Sequence, residues 1–122
     1  MTLRERVIPP DPRSEGDEPD YRFTLANERT FLAWIRTALA LAAGGLAAVG
    51  LLDDFPGADA LGIGLLALSF VTAASAYRRW ALSERSMRLN EPLPSSRLPM
   101  FMAVATAVIA LVAAVMLVVD AA

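Results

Sequence analysis

The residues of this chain that could do chemistry are arginines. Arg22, Arg29 and Arg36 recur every seven residues in YRFTLANERTFLAWIR, and Arg78, Arg79, Arg85 and Arg88 follow in a second cluster. A guanidinium offers a planar fork of N–H donors that matches phosphate and carboxylate oxygens. It is a poor general base, because its pKa exceeds about 12. The chain has no cysteine, histidine or lysine. That removes disulfides, thiol nucleophiles, the usual zinc ligands, histidine acid–base work and Schiff bases. The chemistry left is holding anions, not making or breaking bonds. No catalytic group, metal, cofactor or nucleic-acid partner is expected. The net charge of −2 comes largely from the N-terminal tail and decides nothing about partners.

On a helix, positions seven apart drift by only about 20°. Arg22, Arg29 and Arg36 therefore form one stripe, and continued along the helix it meets Ala33, Ala40, Ala43, Gly44, Ala47 and Gly50. Phe31, Trp34, Leu41 and Leu52 lie on the other side. The face that results has arginine at one end and nearly bare backbone at the other.

The elements that must position it are membrane helices. Apolar residues gather in three blocks, 31–52, 58–77 and 98–119. Each is close to the roughly 20 residues that cross a hydrocarbon core about 30 Å thick. The second and third carry almost no charge, whereas a soluble bundle shows a polar stripe on every helix. The expected fold is all-α, an integral membrane protein with three transmembrane helices at about 24–52, 58–89 and 97–119.

Residues 1–20 hold Pro9, Pro10, Pro12 and Pro19 among acids and arginines. Such a segment buries too little apolar surface to offset its ordering entropy, and a mobile cytoplasmic tail is expected; nothing in it resembles a signal peptide. Residues 21–122 then form the membrane domain. Its first helix is capped at Thr24 or, a few residues earlier, at Asp20. The turnaround Asp53-Asp54-Phe55-Pro56-Gly57 is short and acidic, so the first two helices are neighbours. At about 1.5 Å per residue, a helix over 58–89 is roughly 48 Å long and projects beyond the bilayer. Pro92 and Pro94 break the following linker, Ser95 or Ser96 can cap the third helix, and Pro99 suits its first turn.

Arginine placement orients the domain. Arg22 and Arg29 precede the first apolar block and Arg78 to Arg97 lie between the second and third, while the other loop and the C-terminus have none. The positive-inside rule places the N-terminus in the cytoplasm and the C-terminus outside.

Arg36 is about 24 Å of helix below Leu52, which sets it inside the cytoplasmic boundary. One reading is an arginine that snorkels to the headgroups. The other is that Arg22, Arg29 and Arg36 face the axis of a homo-oligomer and line an anion path, with the small residues keeping its lumen open. The same small residues, for example Ala40, Gly44 and Ala48, equally suit close helix packing. Glu28 could offset the arginines, and Glu84 reads as a solvated interfacial charge. Glu84 and Arg88 stand in the favourable i,i+4 order. Arg78, Arg79, Arg85 and Arg88 read as a basic collar whose default partner is anionic lipid. Tyr77, Trp34 and Trp80 suit an aromatic belt.

The run Leu25-Ala26-Asn27-Glu28-Arg29-Thr30-Phe31-Leu32-Ala33-Trp34-Ile35-Arg36-Thr37 resembles the signature of the YidH-like bacterial membrane proteins, a domain of unknown function. Tyr77-Arg78-Arg79-Trp80, Met87-Arg88 and Pro92-Leu93-Pro94 resemble its second-helix end and the loop that follows. A similar domain forms the membrane part of the eukaryotic vacuolar transporter chaperone, a polyphosphate polymerase in which five such domains surround a channel lined by basic residues. The resemblance implies an inner-membrane location, a pentamer, polyphosphate or another phosphate species as ligand, and channel-lining roles for Arg29 and Arg36 and for Arg78 or Arg79. The chain has no polymerase domain. The expected function is an arginine-lined anion-binding or anion-conducting assembly. The alternative is a small membrane scaffold that engages anionic lipids and a partner membrane protein, without transport.

Overall fold

The computed structural model describes residues 3–4, 8–52 and 54–122. Asp53 of the acidic turnaround, and residues 1–2 and 5–7 of the tail, lie outside the described residues. Three long helices follow a short 3-10 turn at Pro12–Ser14: α1 (Tyr21–Leu51), α2 (Ala58–Arg88) and α3 (Leu98–Ala121). There is no strand among the described residues, and all three helices are long and apolar enough to cross a membrane. The all-α class read from the sequence is the class observed.

Local chemistry sets the ends. Asp20, not Thr24, opens α1: its Oδ1 accepts the Arg22 N–H at 3.0 Å and its carbonyl accepts the Phe23 N–H at 3.0 Å. Thr24 is already inside the helix. The loop after α1 closes through Gly57, whose φ of +85° is costly for a residue with a Cβ. The end of α2 is a Schellman-type stop. Asn90 takes φ +53°, and the Glu91 N–H reaches back to the Ser86 carbonyl at 2.9 Å. Helix α3 starts from Arg97, whose own side chain makes no capping bond. Pro99 in the first turn leaves no orphaned N–H there.

The chain forms two compact units, one of residues 1–35 with 73–96 and one of 36–72 with 97–122. In the second unit α1 and α2 meet through small residues. Ala38, Gly45 and Ala48 are buried from α1, and Ala58, Gly62, Leu68 and Thr72 from α2. A Cβ on Gly45 would come 2.8 Å from the Gly62 carbonyl oxygen, and one on Gly62 would run into Val49. Ser69 donates to the Ala38 carbonyl at 2.6 Å, tying the two helices by a polar bond inside an apolar contact. From α3 only Leu98 and Met102 are buried among the described residues, with Met102 Sδ 3.1 Å from the Thr72 hydroxyl. Ala40, Ala43, Gly44, Ala47 and Gly50 are exposed, so the small face read from the sequence is not the one the chain uses internally.

In the first unit the tail from residue 8 lies against the end of α2, where a free segment was expected. Pro9 and Pro12 are buried, Glu15 accepts from Arg85 Nε at 2.7 Å, and the Asp17 N–H donates to the Arg88 carbonyl at 3.1 Å. Gly16 permits this, because a Cβ there would collide with that carbonyl. Acid–base pairing and the buried Pro9 and Pro12 supply what the tail lacks in apolar area.

Candidate anion site

The first unit sets the second half of α2 beside the first half of α1. The spacing 24-27-31-34 is the three-and-four stripe of a helix–helix contact, and each member touches α2 or is half-buried. Thr24 Oγ1 donates to Glu84 Oε1 at 3.3 Å, and Asn27 Nδ2 donates to the Trp80 carbonyl at 3.1 Å. Phe31 packs at 6.4 Å from Trp80, which also meets Tyr77 at 6.0 Å. Trp34 carries the Arg79 guanidinium 5.4 Å above its ring, a cation–π stack. The aromatic residues are packing partners within the unit, beyond any role at an interface.

The opposite side of α1 carries Arg22 and Arg29, both exposed. Arg22 is held by Asp20 at 2.9 Å. That contact keeps the Asp20 carboxyl below its usual range, through the side-chain bond first and the backbone bond second. The contact is therefore present above the ordinary carboxylate range and is lost on acidification. Arg29 and Glu28 are exposed and have no hydrogen-bond or ion-pair partner among the described residues, so Glu28 is not brought onto an arginine. Arg36, in the second unit, is likewise exposed and unpaired among the described residues. Arg78 is exposed, while Arg79 turns inward onto Trp34.

Residues 22–86 match a family described as Domain of unknown function (DUF202). The chain belongs to this family. It is 47% identical over 107 residues to an uncharacterized protein of Mycobacterium tuberculosis, covering 85% of this chain and 88% of that one. It is 49% identical over 82 residues to the inner membrane protein YidH of Escherichia coli, covering 65% of this chain and 71% of that protein. No solved structure matches it. Family membership and three membrane-length helices make the chain a multi-pass inner-membrane protein. The segment matched to the family spans the stretch from Arg22 to Ser86, and so contains both the Trp34–Arg79 stack and the Thr24–Glu84 bond.

Two expectations need correction. Glu84 is not a solvated charge: it is 3% exposed, bonded by Thr24, and 3.6 Å from Arg88 Nε. Its Oε2 has no partner among the described residues. Nor do Arg85 and Arg88 form an open basic collar. Arg85 meets Glu15 at 2.7 Å and Glu91 at 3.9 Å, and Arg88 reaches Glu84 and, at 3.4 Å, the Arg13 carbonyl. The i,i+4 spacing identified the Glu84–Arg88 pair but not its burial. The signal that could have found it is Thr24, in phase with Asn27 and Phe31.

Proposed function

We propose that the protein is an oligomeric inner-membrane assembly in which arginines of α1 bind or conduct an anion, with a phosphate-bearing species as ligand. The observation that carries this reading is the outward, uncompensated placement of Arg29 and Arg36. Each is exposed and unpaired among the described residues, on a helix whose buried side is apolar or neutral. A family relation to the membrane domain of the vacuolar transporter chaperone, with its ring of five, would give these arginines an axis to face. Water or a bound anion must offset such a ring, because like charges repel strongly where the dielectric is low. Phosphate matches the guanidinium fork best. The arginine distribution orients the assembly with its N-terminus in the cytoplasm and its C-terminus outside.

Arg36→Ala and Arg29→Ala should each weaken binding of polyphosphate to the purified full chain, and binding by the parent should fall as salt rises. Arg97→Ala is the control, since Arg97 is exposed in the linker; Arg88 cannot serve, being paired with Glu84. Parent-like binding by both α1 variants, or no binding by the parent, would favour the scaffold reading. The apolar surface that α3 leaves exposed is what supports that alternative, as a face for lipid and a partner membrane protein.

A further inference from the structure

A groove of about 260 Å³ runs through the first unit, with Asn27, Thr30, Arg79 and Ser83 as its polar lining and Trp34 and Trp80 as aromatic walls. Arg79 is the informative member. Arg22, Arg85 and Arg88 each lie on a carboxylate of this chain: Asp20, Glu15 and Glu84. Arg79 makes no hydrogen bond or ion pair among the described residues, and its Nη1 is shielded from solvent without an acceptor. Its described partner is the π face of Trp34. Stacking engages the flat side of a guanidinium and leaves the in-plane N–H edge, which is where an anionic oxygen binds. Nη1, the part of that edge closed to solvent without an acceptor, is costly to leave unmet, and an anionic oxygen at the edge would offset it.

We infer that this groove is a binding site for a phosphate group, held in the plane of Arg79 and by the hydroxyl of Ser83, which has no acceptor among the described residues. The site is separate from the α1 stripe, because Arg79 turns inward where Arg22 and Arg29 turn outward, and it goes beyond the function proposed above. The remaining polar lining narrows the ligand. Asn27 uses its amide N–H on the Trp80 carbonyl, and Thr30 donates to the Ala26 carbonyl, so the oxygens of both are left as acceptors. Acceptors beside a cation suit a phosphate ester that also carries hydroxyl groups. Phe23, Met87 and Leu93 complete the wall with apolar surface. A phosphodiester lipid headgroup and a free phosphate share the chemistry that Arg79 recognises.

Both tryptophans of the chain line the groove, so intrinsic fluorescence reads its occupancy directly. The full chain in neutral detergent is titrated with short-chain phosphatidylglycerol, with the matching diacylglycerol that lacks phosphate, and with inorganic phosphate. Phosphatidylglycerol should give a saturable shift in emission that diacylglycerol does not. Arg79→Gln should raise the midpoint roughly tenfold or more, as expected for loss of charge-assisted hydrogen bonds. Ser83→Leu fills the groove and leaves Arg79 in place, so it should suppress the shift even if Arg79→Gln proves unstable. Arg97→Gln, at an exposed arginine outside both the groove and the α1 stripe, should titrate like the parent. A shift with inorganic phosphate at matching concentration supports the site and assigns it to the free anion. Equal responses to diacylglycerol and phosphatidylglycerol, no response to either phosphate-bearing probe, or parent-like titration of both groove variants would overturn it.

Discussion

On an exposed helix, an acid four residues before a base is worth a few tenths of a kcal/mol. Glu84 and Arg88 have that spacing, but their side chains are only 4% and 12% exposed. Removing one partner then leaves a buried charge, and the loss is dominated by that stranded charge. Arg88→Met should therefore destabilise the protein by roughly 3 kcal/mol or more, and Glu84→Gln in the same chain should recover much of it. Thermal unfolding in detergent measures both; equal loss in the single and double variants would mean that the two groups do not act as a pair. Charge type and phase were legible here, as the outward setting of Arg29 and Arg36 shows. The setting of Arg78 and Arg79 was not. Neighbours on a helix differ by about 100°, so only one of them can face inward, and Trp34 on another helix makes the choice.

At the scale of elements, the three apolar blocks gave the helices within a few residues, because a span about 30 Å thick demands a long uninterrupted run. The contact between α1 and α2 was harder to read. A stripe of small residues shows where backbones could approach, but α1 has two such stripes. The chain uses Gly45 with Gly62 and leaves Gly44 and Gly50 outside. The two glycines at 44 and 45 thus separate internal packing from assembly. A Cβ at Gly45 meets backbone 2.8 Å away, whereas one at Gly44 finds only the Leu65 side chain at 3.8 Å. Gly45→Ala should lower the unfolding temperature of the solubilised protein, and Gly44→Leu should leave that packing intact. A change in particle mass with Gly44→Leu would then report contact between copies. Unchanged mass would show that this face looks onto lipid or open space. Composition says less about the tail: its prolines and acids read as unpacked, while Glu15 and the Asp17 N–H have partners on the last turn of α2.

At the scale of the whole molecule, orientation is set by charges that flank the apolar helices, independently of how those helices pack. Arg78, Arg79, Arg85, Arg88 and Arg97 fall between the second and third apolar blocks, and the short loop before Ala58 carries no arginine. Pairing with Glu15, Glu84 and Glu91 lessens the basic surface of that segment in the folded chain. The positive-inside bias counts Lys and Arg near the helix ends, with acids contributing little, so the pairing does not reverse the expected orientation. The chain has no cysteine, which makes single-cysteine labelling clean. The two probe positions must be exposed on either side. Ser86 is buried and would resist reagent on any side of a membrane, whereas Ser95 and Asp54 are both exposed. In intact cells an impermeant thiol reagent should modify Asp54→Cys and spare Ser95→Cys, and both should react once the membrane is permeabilised. Reaction at Ser95→Cys alone in intact cells would place the N-terminus outside. The α1 arginines would then lie toward the outer face, and an anion path opening to the cytoplasm through them would have to be abandoned.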